Sequence, residues 1–332
     1  MIITKTPLRI SLVGGSTDIP EFYQKHGGAV ISLAIDKYIY VCVNKKFDNG
    51  VRVSYSITEN VNSSEELKHD IVRETLKLFQ IYDGIEVVSV ADIPGGGSGL
   101  GSSSSFAVGL NYAMQRYTQR STNYHPSVFA ESSYLVEREL CGHPVGKQDH
   151  YAAAYGGFRY YEFNKDDSVF VSPIHLTSVK EEELKSKLML FWIGKTRHAN
   201  KILAEQARSI KENTAIDARA CSIYGGANRL YAELCDNNVS NVGSYLYENW
   251  KFKKQLAMGI TTKEIDIYYD MAMEAGAEGG KLCGAGGSGF LLFYAPVEKH
   301  KDIEQVLGLR RVPFGINNIG ATIVYDEGNK YA

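Results

Sequence analysis

Leu8, Ile10 and Leu12 alternate with Arg9 and Ser11 inside an apolar run that spans Ile2–Val13. This period-two alternation predicts a strand with one apolar face, and it places Arg9 and Ser11 together on the other. Gly14-Gly15-Ser16-Thr17-Asp18 then turns the chain. Residues 29–47 and 50–56 read as further strands, with Asp48-Asn49-Gly50 as the hairpin turn between them. Leu67, Ile71, Leu76 and Phe79 fall at helical spacing over 64–79, and 85–91 is a short β run. A glycine loop over 94–101 leads into a helix over 102–120, and a second helix over 126–140 ends at Gly142. Residues 158–163 and 169–173 predict paired strands.

Near Lys180-Glu181-Glu182-Glu183 the chain becomes charged, which marks the solvated start of a helix and a domain boundary. Beyond it come a buried strand over 188–193 and helices over 197–211, 217–237, 239–258 and 264–275. A second glycine loop, 284–289, precedes a strand over 290–294, and a helix over 297–307 and a strand over 320–325 close the chain. The mixture predicts an α/β protein of two domains, residues 1–178 and 179–332, without repeats or low-complexity segments.

Composition narrows the function classes. The 332 residues are 44% apolar and 22% charged with a net charge of −2, ample for a sizeable core. Such a balance gives no long-range field for nucleic acid or an anionic membrane. No apolar run approaches the roughly 18 residues of a membrane span. The first residues lack a leader pattern, so the expectation is a cytoplasmic protein. The five cysteines include no CxxC pair, which argues against a disulfide framework or a structural zinc. His143 and His150 lie seven apart beside Asp149 without an HExxH pattern, and metal ligation is the lesser reading of them.

The excess glycine, 32 residues, is clustered. Pro94-Gly95-Gly96-Gly97-Ser98-Gly99-Leu100-Gly101-Ser102-Ser103-Ser104-Ser105 opens a helix carrying Phe106, Leu110, Ala113, Met114 and Tyr117. Glycines let successive backbone N–H groups face one anion, and the helix start adds unpaired donors. The serines add hydroxyls, one of which can ligate Mg²⁺. A triphosphate fits this loop, and a flexible linker would not lead straight into an amphipathic helix. Walker A fails, because Gly280-Lys281 is followed by Leu282 and has Ala275 at the first glycine position. Gly284-Ala285-Gly286-Gly287-Ser288-Gly289 matches GxGxxG, but a strand follows where a dinucleotide fold needs a helix.

Three segments in order resemble the GHMP kinase superfamily: Thr6–Asp18, Pro94–Ser105 and Lys281–Gly289. The resemblance implies an N-terminal domain like domain 2 of ribosomal protein S5 and a ferredoxin-like C-terminal domain. It implies ATP and Mg²⁺, with the nucleotide bound by Pro94, Gly95, Gly96, Gly97, Ser98, Gly99, Leu100, Gly101, Ser102, Ser103 and Ser104. Asp149, within Gly146-Lys147-Gln148-Asp149, matches a catalytic aspartate that takes or orients the acceptor proton, and Arg9 a cation beside it. Glu137, twelve residues before Asp149, and Ser103 match a metal site. Asp18 matches a residue that bonds sugar hydroxyls. Gly14, Gly15 and Ser16 share its segment, and Gly286 and Gly287 shape the substrate side from the other domain. Gly15-Ser16 departs from the glutamate and histidine usual in galactokinases. The same residues admit plainer roles: a surface helix cap for Asp149, a structural ion pair for Arg9, a solvated site for Glu137 and a helix cap for Asp18.

The wording of 6–11, of 146–157 and of Gly194-Lys195-Thr196-Arg197 looks most like the bacterial D-glycero-D-manno-heptose 7-phosphate kinases. That resemblance implies phosphorylation of the anomeric hydroxyl to a 1,7-bisphosphate, for nucleotide-activated heptose and surface glycan. Such a substrate needs a second anion site. Arg197, where a strand meets a helix start, and Lys147 are the candidates, an ordinary basic helix start being the plainer reading. The expected partner is a small phosphosugar, with no nucleic acid or membrane and with a homodimer left open. A fucokinase- or galactokinase-like enzyme, a non-catalytic sugar and ATP sensor, and a diphosphate decarboxylase stay as alternatives. Residues 55–66 are the positional candidate for the adenine pocket.

Overall fold

The computed structural model describes residues 1–94, 97–118, 125–194 and 200–328. Two strands anchor the first sheet, β1 (Ile2–Val13) and β2 (Gly28–Lys45), paired antiparallel along most of β1. β3 (Val51–Ser54), β4 (Thr58–Val61) and β5 (Ile85–Ala91) extend it in the order β1-β2-β5-β3-β4. β6 (Phe158–Phe163) pairs with the opening half of β2, and β7 (Val169–Pro173) with β6. The second sheet is built from β8 (Leu188–Trp192), β9 (Gly279–Leu282), β10 (Phe290–Tyr294) and β11 (Arg310–Arg311), all antiparallel in the order β11-β8-β10-β9. The chain then crosses back, and β12 (Thr322–Asp326) pairs with β1 from Ile2 to Lys5.

The helices of the first half are α1 (Pro20–His26), α2 (Asp70–Leu78), α3 (Ser102–Tyr117), α4 (Pro126–Tyr134) and α5 (Gln148–Tyr155). The second half adds α6 (Ser178–Lys187), α7 (Asn200–Glu212), α8 (Thr214–Cys235), α9 (Val242–Lys253), α10 (Lys263–Glu274) and α11 (His300–Leu307). Side chains cap several of them: Thr177 accepts from Lys180 N–H, Asn213 from Ala215 and Ile216, and Thr262 from Ile265. α3 packs on β1 and β2, as does α8, whereas α9 packs on α8 and β1 and also on β9 and β10 of the second sheet. One apolar core therefore runs from Leu12 and Ile31 through Leu230 and Leu246 to Phe290 and Leu292. No helix among the described residues is long and apolar enough to cross a membrane.

The hairpin expected at Asp48-Asn49-Gly50 does not form. The turn is made locally, with Gly50 N–H donating to Asp48 Oδ1 at 2.9 Å, but β5 lies between β2 and β3 and pairs in parallel with β3. The long connection through β4 and α2 permits this crossover, which a two-residue turn could not. The helix expected over 64–79 divides into a 3-10 turn, Ser64–Glu66, and α2. The one expected over 126–140 widens into a π segment, Leu135–Leu140, after α4. α5 and β9 escape sequence patterning for opposite reasons. His150 to Ala154 are all buried, so α5 shows no polar face. β9 opens with two glycines, and Gly279 is pressed so closely on the Gly243 carbonyl of α9 that a Cβ would lie 1.9 Å from it.

Candidate active site

β1 carries Arg9 to the face of the first sheet that the apolar residues leave. Its guanidinium is 4% exposed and forks around Asp149 in the first turn of α5. Nε–H donates to Oδ1 at 2.7 Å and Nη2–H to Oδ2 at 2.5 Å, while Nη1–H donates to the Gly99 carbonyl at 2.7 Å. Burial disfavours the charged guanidinium, but Asp149 outweighs it and the Arg9 pKa moves up. Arg9 thus fixes Asp149 on one side and the glycine loop on the other.

Asp18 sits in the turn after β1, 2% exposed. Its Oδ1 accepts from Ser16 N–H at 3.1 Å and from the Gln148 amide at 3.0 Å, and its Oδ2 accepts from Gln148 N–H at 3.1 Å. Burial and then the Asp149 charge push its carboxyl up, against the N–H groups that hold it ionised. The β1 turn and the start of α5 are therefore one hydrogen-bonded unit.

The described part of the glycine loop runs into α3 without a side-chain cap, since Gly101 is the N-cap. The helix start keeps its donors for a ligand. Ser98 and Ser102 hydroxyls pair at 2.9 Å. Ser103 and Ser104 donate to the two oxygens of Glu137, at 2.5 and 2.9 Å. Glu137 lies in the π segment, 1% exposed, with His150 Nε2 2.8 Å and His143 Nδ1 3.7 Å away. Burial would raise its carboxyl, but His143, His150 and Ser103 more than offset that and hold it well below the usual range. His143 also meets Asp70 at 2.8 Å, and the bonds to Asp70 and Glu137 raise it to about 9.

The second glycine loop supports the first. At φ +81°, a Cβ on Gly99 would lie 2.4 Å from the Cys283 carbonyl, and one on Gly284 only 2.3 Å from Gly99 Cα. That backbone-to-backbone contact explains a GxGxxG pattern followed by a strand. From α9, Lys253 reaches the same junction, 5% exposed, its Nζ donating to the Gly284 carbonyl at 2.6 Å. Burial and then Arg9 hold its pKa down at about 8.

These groups line one cavity of about 800 Å³. Its polar end holds Arg9, Ser11, Ser16, Asp18, Gln148, Asp149 and Lys253. Beyond them lies the glycine loop with Ser103, Ser104 and Glu137, and then a mostly apolar group, Ile39, Tyr55, Ile71, Ile93 and Phe106, with His69, Ser56 and Ser89 among them. A polyanion with a flat apolar end group suits that succession. Of the stretch 55–66, only Tyr55 and Ser56 line it.

Several sequence-based assignments change. Lys147 does not line the cavity: its ammonium donates to the Asp167 carbonyl at 2.6 Å and lies near the Tyr23 and Tyr134 rings. It follows Gly146, yet one residue of helical rotation separates it from Gln148 and Asp149. Gly14 and Gly286 are packing positions, where a Cβ would lie 2.0 Å from the Ala29 carbonyl and 2.6 Å from Ile260 Cα. Gly287 N–H donates to the Ile260 carbonyl, and Leu100 is buried with its carbonyl on Arg9 N–H, so neither is a cavity wall. Pro94 is exposed at the loop's start. Gly95, Gly96 and Arg197 lie outside the described residues. Lys253, Gln148 and Gln206 carry no site signal in the sequence, and Ser11 is placed there on the face of Arg9 without a role. Lys253 sits in the run Lys251-Phe252-Lys253-Lys254, whose only visible signal is a solvated basic helix end.

Comparison with known proteins adds to this geometry. The family described as "GHMP kinases N terminal domain" matches residues 68–157, and "GHMP kinases C terminal" matches residues 230–308. A D-glycero-alpha-D-manno-heptose 7-phosphate kinase of Campylobacter jejuni is 29% identical over 318 residues, 91% of this chain and 92% of its own. A mevalonate kinase of Methanothermobacter thermautotrophicus is 25% identical over 268 residues, 80% of this chain and 83% of its own. The crystal structure of a D-glycero-D-manno-heptose 1-phosphate kinase from Bacteroides thetaiotaomicron superposes with a TM-score of 0.76 at 24% identity, covering 98% of this chain and 100% of that one. Both family domains are matched in order, and the glycine loop and the Arg9–Asp149 pair fall within one cavity: the chain belongs to the GHMP kinase family and is an ATP-dependent phosphotransferase with an alcohol acceptor.

Proposed function

We propose that the chain is a sugar 1-kinase that phosphorylates D-glycero-D-manno-heptose 7-phosphate at the anomeric hydroxyl. The product is the 1,7-bisphosphate, a precursor of nucleotide-activated heptose for surface glycan. The observation that carries the kinase reading is the Asp149 carboxylate, held by Arg9 where the glycine loop meets the polar end of the cavity. The heptose assignment draws on the Campylobacter jejuni relative. In this reading Asp149 takes or orients the acceptor proton, Arg9 fixes its carboxylate in place, and Asp18, Ser16 and Gln148 orient sugar hydroxyls. Residues 1–178 form the nucleotide domain and 179–332 the second domain, whose last strand returns to the first sheet.

The carboxylate of Glu137 and the hydroxyl of Ser103 are hard oxygen donors of the kind Mg²⁺ takes, and Glu137 is held ionised. They would hold the ion against the nucleotide phosphates, where it would neutralise charge on their oxygens.

A specific observation favours a second reading. Asp167 occupies Lys147, which removes one of the two cations considered for a 7-phosphate. An unphosphorylated sugar, as for a fucokinase- or galactokinase-like enzyme, needs neither cation. The test is ADP release with heptose 7-phosphate, free heptose, fucose, galactose and mevalonate. Turnover confined to heptose 7-phosphate is the expected result. Turnover with a free sugar selects the second reading, and ATP binding without turnover on the panel leaves a sensor.

A further inference from the structure

Three side-chain ends from three elements converge over Gly15. A Cβ built there would lie 3.3 Å from Ser11 Oγ of β1, 3.4 Å from Gln148 Nε2 of α5 and 3.8 Å from Lys253 Nζ of α9. Ser11 Oγ and Gln148 Oε1 are buried polar atoms without a hydrogen-bond partner among the described residues. A buried polar atom left without its hydrogen bond is costly, so two together on a cavity wall point to a ligand that completes them. Gly15 matters because it has no side chain: it is the open floor of this subsite.

Lys253 differs from Arg9 in one respect. Asp149 matches the Arg9 charge with two hydrogen bonds. Among the described residues, Lys253 has no carboxylate within ion-pair distance, and its one protein partner is the Gly284 carbonyl. Asp18 and Asp149 act on it only at longer range. A buried cation without a counter-ion is costly unless an anion arrives to meet it. Its position says which anion. Gly284 packs on Gly99 of the nucleotide loop, and Gln148 adjoins Asp149. Lys253 therefore stands between the nucleotide side of the cavity and the acceptor side.

We propose that Lys253 is a second catalytic cation, its ammonium contacting the oxygens of the phosphoryl group in transit, with Ser11 and Gln148 completing a polar subsite over Gly15. This rests on the kinase reading and deepens it. In the step served, a bond forms between the acceptor oxygen and the γ-phosphorus of ATP. The bond from that phosphorus to the β,γ-bridging oxygen breaks, ADP leaves with the electron pair, and the acceptor proton passes to Asp149. Charge spread over the three equatorial oxygens is what a fixed ammonium stabilises.

The groups facing Lys253 are Arg9 from β1, Asp18 from the following turn, Asp149 from α5, and Lys281 and Cys283 from β9 and its end. Burial and Arg9 set the lysine's titration near 8, so kcat falls as pH rises through about 8.

The experiment is steady-state kinetics of the whole protein and of K253M, K253R and G15A. The substrates are ATP and each acceptor, phosphorylated and unphosphorylated, that the unaltered protein turns over. K253M lowers kcat at least ~10²-fold, on the scale of losing one transition-state donor, with KM for ATP changed less than about threefold. K253R restores part of kcat and moves the falling pH limb upward. G15A keeps the lysine but puts a methyl group in the subsite, and it loses kcat as well, so the proposal stays testable if K253M does not fold. Unchanged kcat in K253M overturns the proposal while the kinase reading stands. So does a higher KM confined to phosphorylated acceptors, which would place the ammonium on the acceptor's own phosphate. So does a kcat that rises through pH 8, which would make neutral Lys253 the base. No turnover by the unaltered protein on any acceptor overturns the kinase reading and this proposal together.

Discussion

In the proposed mechanism Asp149 has two jobs that a single substitution can separate. Both carboxylate oxygens accept from Arg9, yet its side chain remains 24% exposed on the cavity side, and each oxygen keeps a second lone pair. It can therefore hold Arg9 and take an acceptor proton at once. If it takes part in proton transfer, D149A and D149N both lower turnover at least ~10²-fold, the general-base range, while calorimetric titration still shows ATP binding. The asparagine is the sharper variant, because it keeps size and can still accept from one guanidinium N–H. Turnover in D149N equal to that of the unaltered protein would make Asp149 only the counter-ion of Arg9. In the sequence, residues of this kind stand out through the family resemblance: Arg9, Asp149, Glu137 and Ser103 match its positions, and strand alternation adds that Arg9 lies on the polar face of its strand. Lys253 does not, because a buried lysine in a basic run looks like its solvated neighbours until α9 is packed.

At the scale of elements, a polar staple joins pieces that also share the apolar core beside the glycine loop. His143 follows the π segment and joins Asp70 at the start of α2 to Glu137. Its pKa is raised from 6.5 to about 9, through the hydrogen bonds to Asp70 and then to Glu137. A raised folded-state value means that the protonated imidazole stabilises the fold. That contribution is complete below about 6.5, the unfolded value, and is lost as pH rises through about 9. Melting temperatures of the unaltered protein and H143Q should therefore differ most near pH 6 and converge above pH 9. A difference that grows with pH would show that neutral His143 is the stabilising form. The elements themselves were legible where alternation or a short apolar run marks them: β1, β5, β6, β7 and β10 agree with the patterns that predict them. They were illegible in α5, a short helix whose residues 150–154 are buried without a polar stripe, and in β9, where a close backbone approach demands glycine. The β2–β3 hairpin was misread because a local turn signal says nothing about which strand fills the neighbouring slot.

Across the whole molecule, the two halves are sewn together at three levels. α8 and α9 share one apolar core with β1 and β2, β12 returns to pair with β1, and Gly99 touches Gly284. Two sheets in sequence would ordinarily suggest two units that melt separately. The shared core argues otherwise, since the side chains of Leu230 and Leu246 cannot leave the second half's packing without exposing residues of the first. The two tryptophans make this testable, because both lie in the second half: Trp192 in β8, and Trp250, 1% exposed, in α9. Their fluorescence reports the second sheet and its helices, whereas ATP binding, at the site proposed for it, reports the glycine loop of the first half. On urea titration, tryptophan emission, far-UV circular dichroism and ATP binding should be lost in one coincident transition, and saturating ATP should move all three midpoints together. A tryptophan transition at lower urea, with ATP still bound, would show that the second half unfolds alone. The Gly99–Gly284 contact would then be a docking surface between independent domains, not part of a single core.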